Sequence, residues 1–348
     1  MKLSNSLMEY STKVFLSFCL LLLLLICPSH NALASTPQEV YDIPVQSYSI
    51  PGYPLEGKTV QSYEGLVFIN GEVRKIKFQD IDGVAVYQGD VVVGKTVDVL
   101  RQSEDFERGA EAAIVDSRWS QTLYWDFDAN PAPRNIQNAF ASLGRHGFTI
   151  RQQQTPSWTC NRVGGSSGGG SGGSPIPSYD CLGEPLIQVI SEPGNTCSAY
   201  TDGLGSPGGF IRNTSDPNVT PLRRELHINP NCSQSTANHE LGHVLGLAHE
   251  HARSDRDSSI RVNFNNIRPD WRDQWSSDAE AANIGNFDFN SIMLYSSFLA
   301  SPPAINTNQA VMTRLNGTPW TASKDASPTA DFSTQDQTAL RQKYPFWR

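Results

Sequence analysis

The chain has 348 residues, of which 38% are hydrophobic and 18% are charged, and its formal net charge is −8. This length allows one large domain or two ordinary ones, and the composition is typical of a globular protein with long loops. The acidic balance and the lack of a basic stripe argue against a nucleic-acid-binding protein.

The N-terminus has the pattern of a secretory signal peptide. Lysines precede the apolar run at residues 14–27, and Ala32 and Ala34 follow it with A-x-A spacing. We predict cleavage after Ala34, secretion of the chain and no contact with the membrane afterwards. The alternative is an uncleaved anchor, but the run is shorter than the roughly 20 residues that span a bilayer.

The next part of the chain carries alternating strand and helix signals. Residues 63–101 alternate between apolar and polar positions, with glycine turns, which predicts several short strands. The charged segment 102–112 predicts an exposed linker. Strands are also predicted at 119–127 and 185–193, and the spacing of apolar residues in 135–147 predicts a helix that a glycine ends.

The Gly/Ser-rich segment 164–175 predicts a flexible surface loop, because it has no side chains with which to build a core. A strand predicted at 223–229 leads to a helix for which Ser233 or Ser235 is the cap. A last helix is predicted to begin after Ser333.

Four cysteines remain after removal of the predicted leader, namely Cys160, Cys181, Cys197 and Cys232. An even number of cysteines in an exported chain predicts two disulfides, for which three pairings are possible.

The segment HELGHVLGLAH predicts a metal site. His239 and His243 are four residues apart, so both imidazoles lie on one face of a helix and can bind one ion. Gly246 can end the helix with a positive φ and turn the chain so that His249 reaches the same ion. Three histidines predict a catalytic zinc site, in which Glu240 is placed to act as a general base.

This pattern is far more specific than a bare HExxH. From average residue usage, HExxHxxGxxH arises by chance in a chain of this length on the order of 10⁻⁵ times; the competing interpretation is an exposed polar helix. Followed by a Met-turn, for which Met293 in FNSIMLYSS is the candidate, the motif is typical of metzincins.

Three segments resemble the astacin family of zinc endopeptidases, over roughly residues 112–348. In HELGHVLGLAHEH, Glu250 directly follows the third histidine; in SIMLY, Tyr295 lies two positions after Met293; and PLIQVISEPGNTCSAY with NCSQSTANHE resembles the family's strand and cysteine context. The resemblance implies an α+β, zincin-like, two-lobed metzincin domain. Its N-terminal lobe would combine a twisted mixed sheet with the active-site helix, and its C-terminal lobe would be mostly irregular.

The predicted organisation is a signal peptide at 1–34, a small pro-segment at 35–111 and a catalytic domain at 112–348. Within the catalytic domain, the lobes would divide at about 112–249 and 250–348. Activation would require a cut near residues 108–114.

The resemblance also implies a role for each residue of the site. His239, His243 and His249 would bind one Zn²⁺, and Glu240 would activate the zinc-bound water and then protonate the leaving amine. Tyr295 would be a displaceable zinc ligand that stabilises the oxyanion; the alternative is a buried core tyrosine.

Other implied roles are structural. Met293 would pack beneath the metal, and Glu250 would lie near the buried N-terminus of the mature enzyme. The strand at 223–229 would be the edge strand that pairs with the substrate. We expect His251 to be exposed or to support the site without binding the metal.

The family's second bridge implies Cys197–Cys232. The family's usual C-terminal cysteine is missing from this chain, which ends YPFWR, and this leaves Cys160–Cys181 as the other pair.

The segment VYQGDVVVG resembles the F-x-G-D inhibitory motif of astacin pro-peptides, with Tyr87 in place of Phe. Asp90 would then bind zinc in the zymogen only; the alternative is an ordinary Gly-Asp turn.

The sequence as a whole predicts a secreted, monomeric zinc endopeptidase that acts on protein or peptide substrates. The alternatives are a metzincin protease of another family and a zinc-bearing binding protein without turnover. The presence of Glu240 argues against the second alternative.

Overall fold

The structure is a computed structural model. It describes residues 60–69, 72–107, 118–128, 131–152, 154, 158–166, 176–195, 197–207, 210–214, 222–278, 282–299 and 303–348. All of these lie in one compact unit, Asp42–Arg348. The predicted signal peptide, residues 167–175 of the predicted Gly/Ser loop and the predicted activation region at 108–114 lie outside the described residues. Residues 164–166, which were predicted to belong to that loop, form the end of a strand instead. No helix in the described part of the chain is long and apolar enough to cross a bilayer.

The strands are β1 (Val60–Ile69), β2 (Glu72–Ile81), β3 (Val84–Tyr87), β4 (Val91–Lys95), β5 (Thr122–Phe127), β6 (Thr149–Gln152), β7 (Trp158–Ser166), β8 (Ile176–Gly183), β9 (Leu186–Ser191), β10 (Ala199–Thr201), β11 (Phe210–Thr214), β12 (Arg223–Ile228), β13 (Ile260–Val262) and β14 (Met312–Arg314). The α-helices are α1 (Thr96–Glu107), α2 (Arg134–Arg145), α3 (Gln234–Leu245), α4 (Ser323–Ala326) and α5 (Thr334–Lys343). Short 3₁₀ helices lie at Glu250–Ala252, Arg256–Ser258, Phe264–Asn266 and Pro269–Trp275.

One mixed sheet of nine strands organises the molecule, in the order β1-β2-β3-β4-β10-β12-β9-β5-β6. Strands β12, β9, β5 and β6 are parallel to one another, β10 is antiparallel to β12, and β4 runs parallel to β10. Residues 60–95 therefore extend the sheet that the later part of the chain builds. The predicted α+β class and mixed sheet are confirmed.

The strand at 223–229 was predicted to be the edge strand of the sheet, and this prediction was wrong. Strand β12 lies inside the sheet, between β10 and β9. The outer neighbour is the three-residue strand Ala199–Thr201, which is too short to give a recognisable alternation. The edge of the later sheet is therefore β10, and β4 covers it.

The linker predicted at 102–112 was also wrong in its first half, as was the prediction of strands for the end of the segment 63–101. Residues 96–107 form helix α1. Val99 and Ser103 are four residues apart and both are buried, and the Ser103 hydroxyl accepts a hydrogen bond from the Leu66 amide at 2.8 Å. Helix α1 therefore packs on strand β1, which a charge-based prediction does not anticipate.

The core of the later domain lies between the sheet and helices α2 and α3. Alternation along β5 turns Trp125 inward, where it stacks on Phe140 of α2 with ring centroids 4.0 Å apart. Leu226 of β12 and Leu241 of α3 belong to the same buried cluster. This packing fixes α3, which carries the two histidines of the HExxH motif, against the sheet.

Residues 250–348 contain mainly 3₁₀ helices, turns and the two-stranded sheet β13–β14, as predicted for an irregular lobe. The chain forms the disulfides Cys160–Cys181 and Cys197–Cys232. The predicted caps are present too: Ser233 caps α3, and Ser333 and Asp336 form a capping box on α5.

The last residues of the chain are held by an aromatic cluster. Trp347 is buried and stacks on His146 with ring centroids 4.5 Å apart. Phe148 and Phe332 meet the same indole edge-on. This cluster joins the end of α2 to the segment after α5.

We expect Trp347→Ala to lower the free energy of unfolding by about 3–5 kcal/mol, because it leaves a large cavity between packed rings. Urea denaturation measures the loss. Phe298→Ala is the control, since Phe298 is 46% exposed and its removal should change stability by about 0.5 kcal/mol or less. Similar stabilities for the two variants would contradict a structural role for the cluster.

Candidate metal centre

Helix α3 places the first two histidines. It begins at the cap Ser233, whose hydroxyl accepts a hydrogen bond from the Thr236 amide at 3.1 Å. It ends at Gly246, where φ is +101° and the amide donates to carbonyls of the last turn. This left-handed residue turns the chain back across the end of the helix, so that His249 returns to the face that carries His239 and His243.

The three imidazoles converge on one point. The Nε2 atom of His249 lies 3.2 Å from Nε2 of His239 and 3.3 Å from Nε2 of His243. The carboxylate of Asp90 closes the group, with oxygens 3.3, 3.3 and 3.1 Å from Nε2 of His239, His243 and His249. All four residues are buried, and their donor atoms lie within 4.8 Å of one another.

This geometry fits a tetrahedral zinc ion. With Zn–N and Zn–O bonds of about 2.0–2.1 Å, tetrahedral ligand atoms lie about 3.3 Å apart. The Nδ1 atoms of His239 and His243 lie 2.8 Å from the carbonyl oxygens of Ile292 and Leu247. A carbonyl oxygen can only accept, so each Nδ1 carries the proton and each Nε2 presents a lone pair to the centre.

Burial favours the neutral form of two of the histidines, which is the form that binds a metal. Desolvation lowers the pKa of His239 to about 3, and desolvation also lowers the pKa of His249. Burial opposes the charge on Asp90, but His249 and His243 outweigh it and hold the pKa of Asp90 well below its usual value. Asp90 thus adds an anionic oxygen to the imidazole nitrogens.

Glu240 is buried beside this centre. Its Oε2 atom is inaccessible and has no hydrogen-bond partner within the described residues. Burial, followed by the charge of Asp90, raises the pKa of Glu240 well above its usual value, while Lys324 lowers it. A buried carboxylate oxygen without a partner is costly and typical of functional sites.

Tyr295 contacts two residues of the centre. Its hydroxyl donates to Oδ2 of Asp90 at 2.7 Å, and its ring lies 4.5 Å from that of His249. In this structure the phenol therefore holds Asp90, and its role as a displaceable zinc ligand stays a prediction. The ammonium of Lys324, which sequence reasoning missed, lies 5.3 Å from the phenol centroid.

Met293 packs against helix α3 between the histidine turns. A Cβ atom added to Gly242 would collide with the sulfur of Met293, so the missing side chain of Gly242 allows the two segments to approach. The carbonyl of Met293 accepts from the Glu250 amide at 3.1 Å. Met293 thus packs against α3 at Gly242, next to His243 in the chain, and its position beneath the metal stays a prediction.

Glu250 borders a cavity of about 350 Å³ that Gly246, Leu204 and Ile284 also line. Its Oε1 atom accepts from the Asp288 amide at 2.7 Å, and burial raises the pKa of Glu250 to about 7. The segment expected to contact Glu250 in a mature enzyme lies outside the described residues.

Asp90 sits at the tip of the hairpin between β3 and β4. Gln88 and Gly89 both have positive φ, +52° and +100°, which gives the tight twist of this turn. A Cβ atom on Gly89 would lie 2.6 Å from the end of the Gln274 side chain, which would have to shift, and the positive φ of Gly89 also favours glycine. The Thr201 amide then donates to the Asp90 carbonyl at 2.9 Å.

A chain of polar contacts anchors the same hairpin. The guanidinium of Arg74 lies 2.5 Å from the Asp278 carboxylate, to which the Tyr87 hydroxyl also donates. Gln88 donates to that hydroxyl at 2.7 Å and accepts from the His249 amide at 3.1 Å. Sequence reasoning missed Arg74, Gln88 and Asp278; the replacement of Phe by Tyr87 was the available signal that a new polar partner exists.

This chain is similar to several known proteins. Residues 219–345 match the model of the peptidase family described as Astacin. Zinc metalloproteinase nas-5 of Caenorhabditis elegans is 35% identical over 238 residues, which is 66% of this chain and 57% of that protein. Flavastacin of Elizabethkingia meningoseptica is 30% identical over 148 residues, 42% of this chain and 31% of that protein.

Among solved structures, high choriolytic enzyme 1, a hatching-enzyme zinc-protease from Oryzias latipes, aligns with a TM-score of 0.45 at 20% identity, over 68% of this chain and 98% of that one. The chain spans less than two thirds of the length of the two curated relatives above. The matched family uses zinc, in agreement with the donor set and with the cofactor predicted from the sequence.

We expect Gly246→Ala to lower stability by about 1–2 kcal/mol, because alanine is strained at positive φ, and to weaken zinc binding by about tenfold or more, because the turn positions His249. Chelator competition and urea unfolding measure the two effects. Gly317→Ala is the matched control, since its φ is +84° in open space. It should share the strain but keep the zinc affinity; equal affinities in both variants would count against the proposed role of the turn.

Proposed function

This chain belongs to the astacin family through the domain at residues 219–345, and on that premise we propose that it is a zinc-dependent endopeptidase made as an inhibited precursor. The observation that carries the proposal is the arrangement of one buried, unpartnered carboxylate, Glu240, beside three converging imidazole nitrogens. A site that only stored zinc would have no need of this carboxylate.

His239, His243 and His249 would hold the ion. Zinc at such a site polarises a peptide carbonyl and lowers the pKa of water. Glu240 would take the proton of the attacking water and pass it to the leaving amine, since it is the acid–base group buried next to the ligands. The Tyr295 hydroxyl would donate to the developing oxyanion once it is released from Asp90.

The substrate would bind along strand β10. At present β4 covers this edge, and the Thr201 amide bonds to the Asp90 carbonyl. If residues 60–107 leave, the short strand Ala199–Thr201 becomes an open edge beside the zinc site. An extended peptide can pair with such an edge by strand addition, which supports a protein or peptide as the substrate.

Inhibition would come from Asp90. Its carboxylate lies 3.1–3.3 Å from the three imidazole nitrogens, in the fourth ligand position that catalysis needs for water. It also receives the Tyr295 hydroxyl. One side chain would therefore block the metal and occupy the oxyanion donor, while the Arg74–Asp278 ion pair holds the hairpin in place.

Activation would follow a cut near residues 108–114, which divides the pro-segment at 35–111 from the catalytic domain at 112–348. The new N-terminus would carry an ammonium group. Glu250, in the cavity of about 350 Å³, offers a carboxylate to pair with it. Trp119 anchors the start of the domain by donating from Nε1 to the Val244 carbonyl at 2.7 Å, close to that cavity's Gly246.

We propose further that the chain is secreted after cleavage behind Ala34 and acts as a monomer. The two disulfides support an oxidising destination.

Replacing Glu240 with glutamine tests the catalytic assignment. We expect kcat/KM for peptide hydrolysis by the activated protein to fall by about 10²–10⁴-fold, because the amide cannot accept the proton. Zinc content and the unfolding midpoint should stay near those of the parent, which separates lost chemistry from lost structure. Full activity in the variant would refute the mechanism, and a zinc-loaded parent without turnover would favour a binding protein.

Asp90→Asn tests the inhibition. We expect the uncut chain to gain at least about tenfold in activity on a quenched fluorescent peptide, because the neutral amide loses its charge-assisted contacts with the site. Asp82→Asn, in the exposed turn between β2 and β3, is the matched control and should leave the uncut chain inactive. A gel taken with each assay confirms that the chain is intact. If the two variants are equally inactive, Asp90 is not the inhibitor.

A further inference from the structure

His251 was expected to be exposed or merely supporting, and the structure gives it a more definite place. Its side chain is fully buried in the 3₁₀ helix Glu250–Ala252, directly after the last histidine of the site. It does not belong to the group of converging donor atoms, so it is not a fourth imidazole ligand. Its contacts are with aromatic rings.

The imidazole of His251 packs against both the ligand ring and the phenol, which also contact each other with centroids 4.5 Å apart. Its centroid is 4.8 Å from that of His249, with an interplanar angle of 22°, and 4.6 Å from that of Tyr295, with an angle of 33°. Trp275 backs both His251 and Tyr295, at 6.1 and 6.3 Å. The flat face of His251 is therefore a surface on which the phenol ring rests.

Hydrogen bonding does not explain this histidine. Neither Nδ1 nor Nε2 has a partner within the described part of the chain, although an unpaired buried polar atom is costly. An aliphatic or aromatic core residue would avoid that cost. What the ring supplies in this structure is a flat face that contacts His249 and Tyr295 at once.

The rings of this stack belong to the later part of the chain. His251, Tyr295 and Trp275 all lie outside residues 60–107, although Trp275 also packs in a buried cluster with Val86 and Val92 of the hairpin. If that segment leaves, the phenol hydroxyl, which now donates to Asp90, has to change its partner. Because the phenol ring is held by its contact with the His251 ring, its hydroxyl can change partner without a large movement of the ring.

We propose that His251 is a positioning residue for Tyr295, which holds the phenol at the distance from His249 that oxyanion stabilisation requires. This role rests on the proposed peptidase function. His251 acts through stacking and not through a bond to substrate or metal.

A double-mutant cycle tests the proposal on the active form of the full chain, whether processed or relieved by Asp90→Asn. We expect His251→Leu to lower kcat by about tenfold to a hundredfold with little change in KM, because a small displacement of a catalytic group has effects of this size. Tyr295→Phe should lower kcat by about 10²–10³-fold. Adding His251→Leu to Tyr295→Phe should then change kcat by less than about threefold.

His251→Phe, which keeps a flat ring and removes the unpaired nitrogens, should restore kcat to within about threefold of the parent and raise the midpoint of thermal unfolding. Zinc affinity, measured by chelator competition, should change little in either variant. Ile136→Val, a mild change in the buried cluster that contains Leu226 and Leu241, controls for general loss of stability.

The proposal is overturned if His251→Leu retains the parent kcat, if its effect is the same with and without the Tyr295 hydroxyl, or if His251→Phe is as impaired as His251→Leu. Failure of the peptidase function itself gives a different result, in which the parent and Glu240→Gln are equally inactive. The two hypotheses are thereby tested separately.

Discussion

The structure depends on three imidazoles whose Nε2 atoms face one another across 3.2–3.3 Å. Such an arrangement is repulsive unless a cation fills it, so the surrounding structure has to hold the rings in place before the metal binds. The Ile292 and Leu247 carbonyls fix two of the rings through Nδ1. Gly246 brings the third ring round, and the close approach of Met293 to Gly242 supports the helix from below.

Asp90 meets the same three imidazoles from the hairpin between β3 and β4. It completes the donor set with a negative oxygen, and its backbone carbonyl takes the Thr201 amide. The side-chain carboxylate of Asp90 therefore covers the metal position, and the backbone carbonyl of the same residue covers the sheet edge. Removal of the hairpin would expose both at once, so that water access and peptide binding would begin together. Tyr295, now bonded to Asp90, would be released in the same event.

The helical part of the site was predictable, because its signals are local. The spacing of His239 and His243, the cap Ser233 and the terminating Gly246 each follow from helix periodicity and backbone conformation. The errors came where non-local packing decided the outcome. Residues 96–101 look like a strand and residues 102–107 like a charged linker, but together they form a helix that packs on β1. The edge of the later sheet is the three-residue strand Ala199–Thr201 and not β12.

The sequence by itself determined which atoms can bind the metal, because residues within one turn of a helix have fixed relative positions. Only the tertiary structure decided what meets them. Asp90 reaches the site from 149 residues away in the chain, and Tyr295 and Asp278 approach from separate loops. In the sequence, His251 is one more histidine next to the proposed ligands. Its burial against both His249 and Tyr295 depends on how these distant segments pack, and no local pattern carries that information.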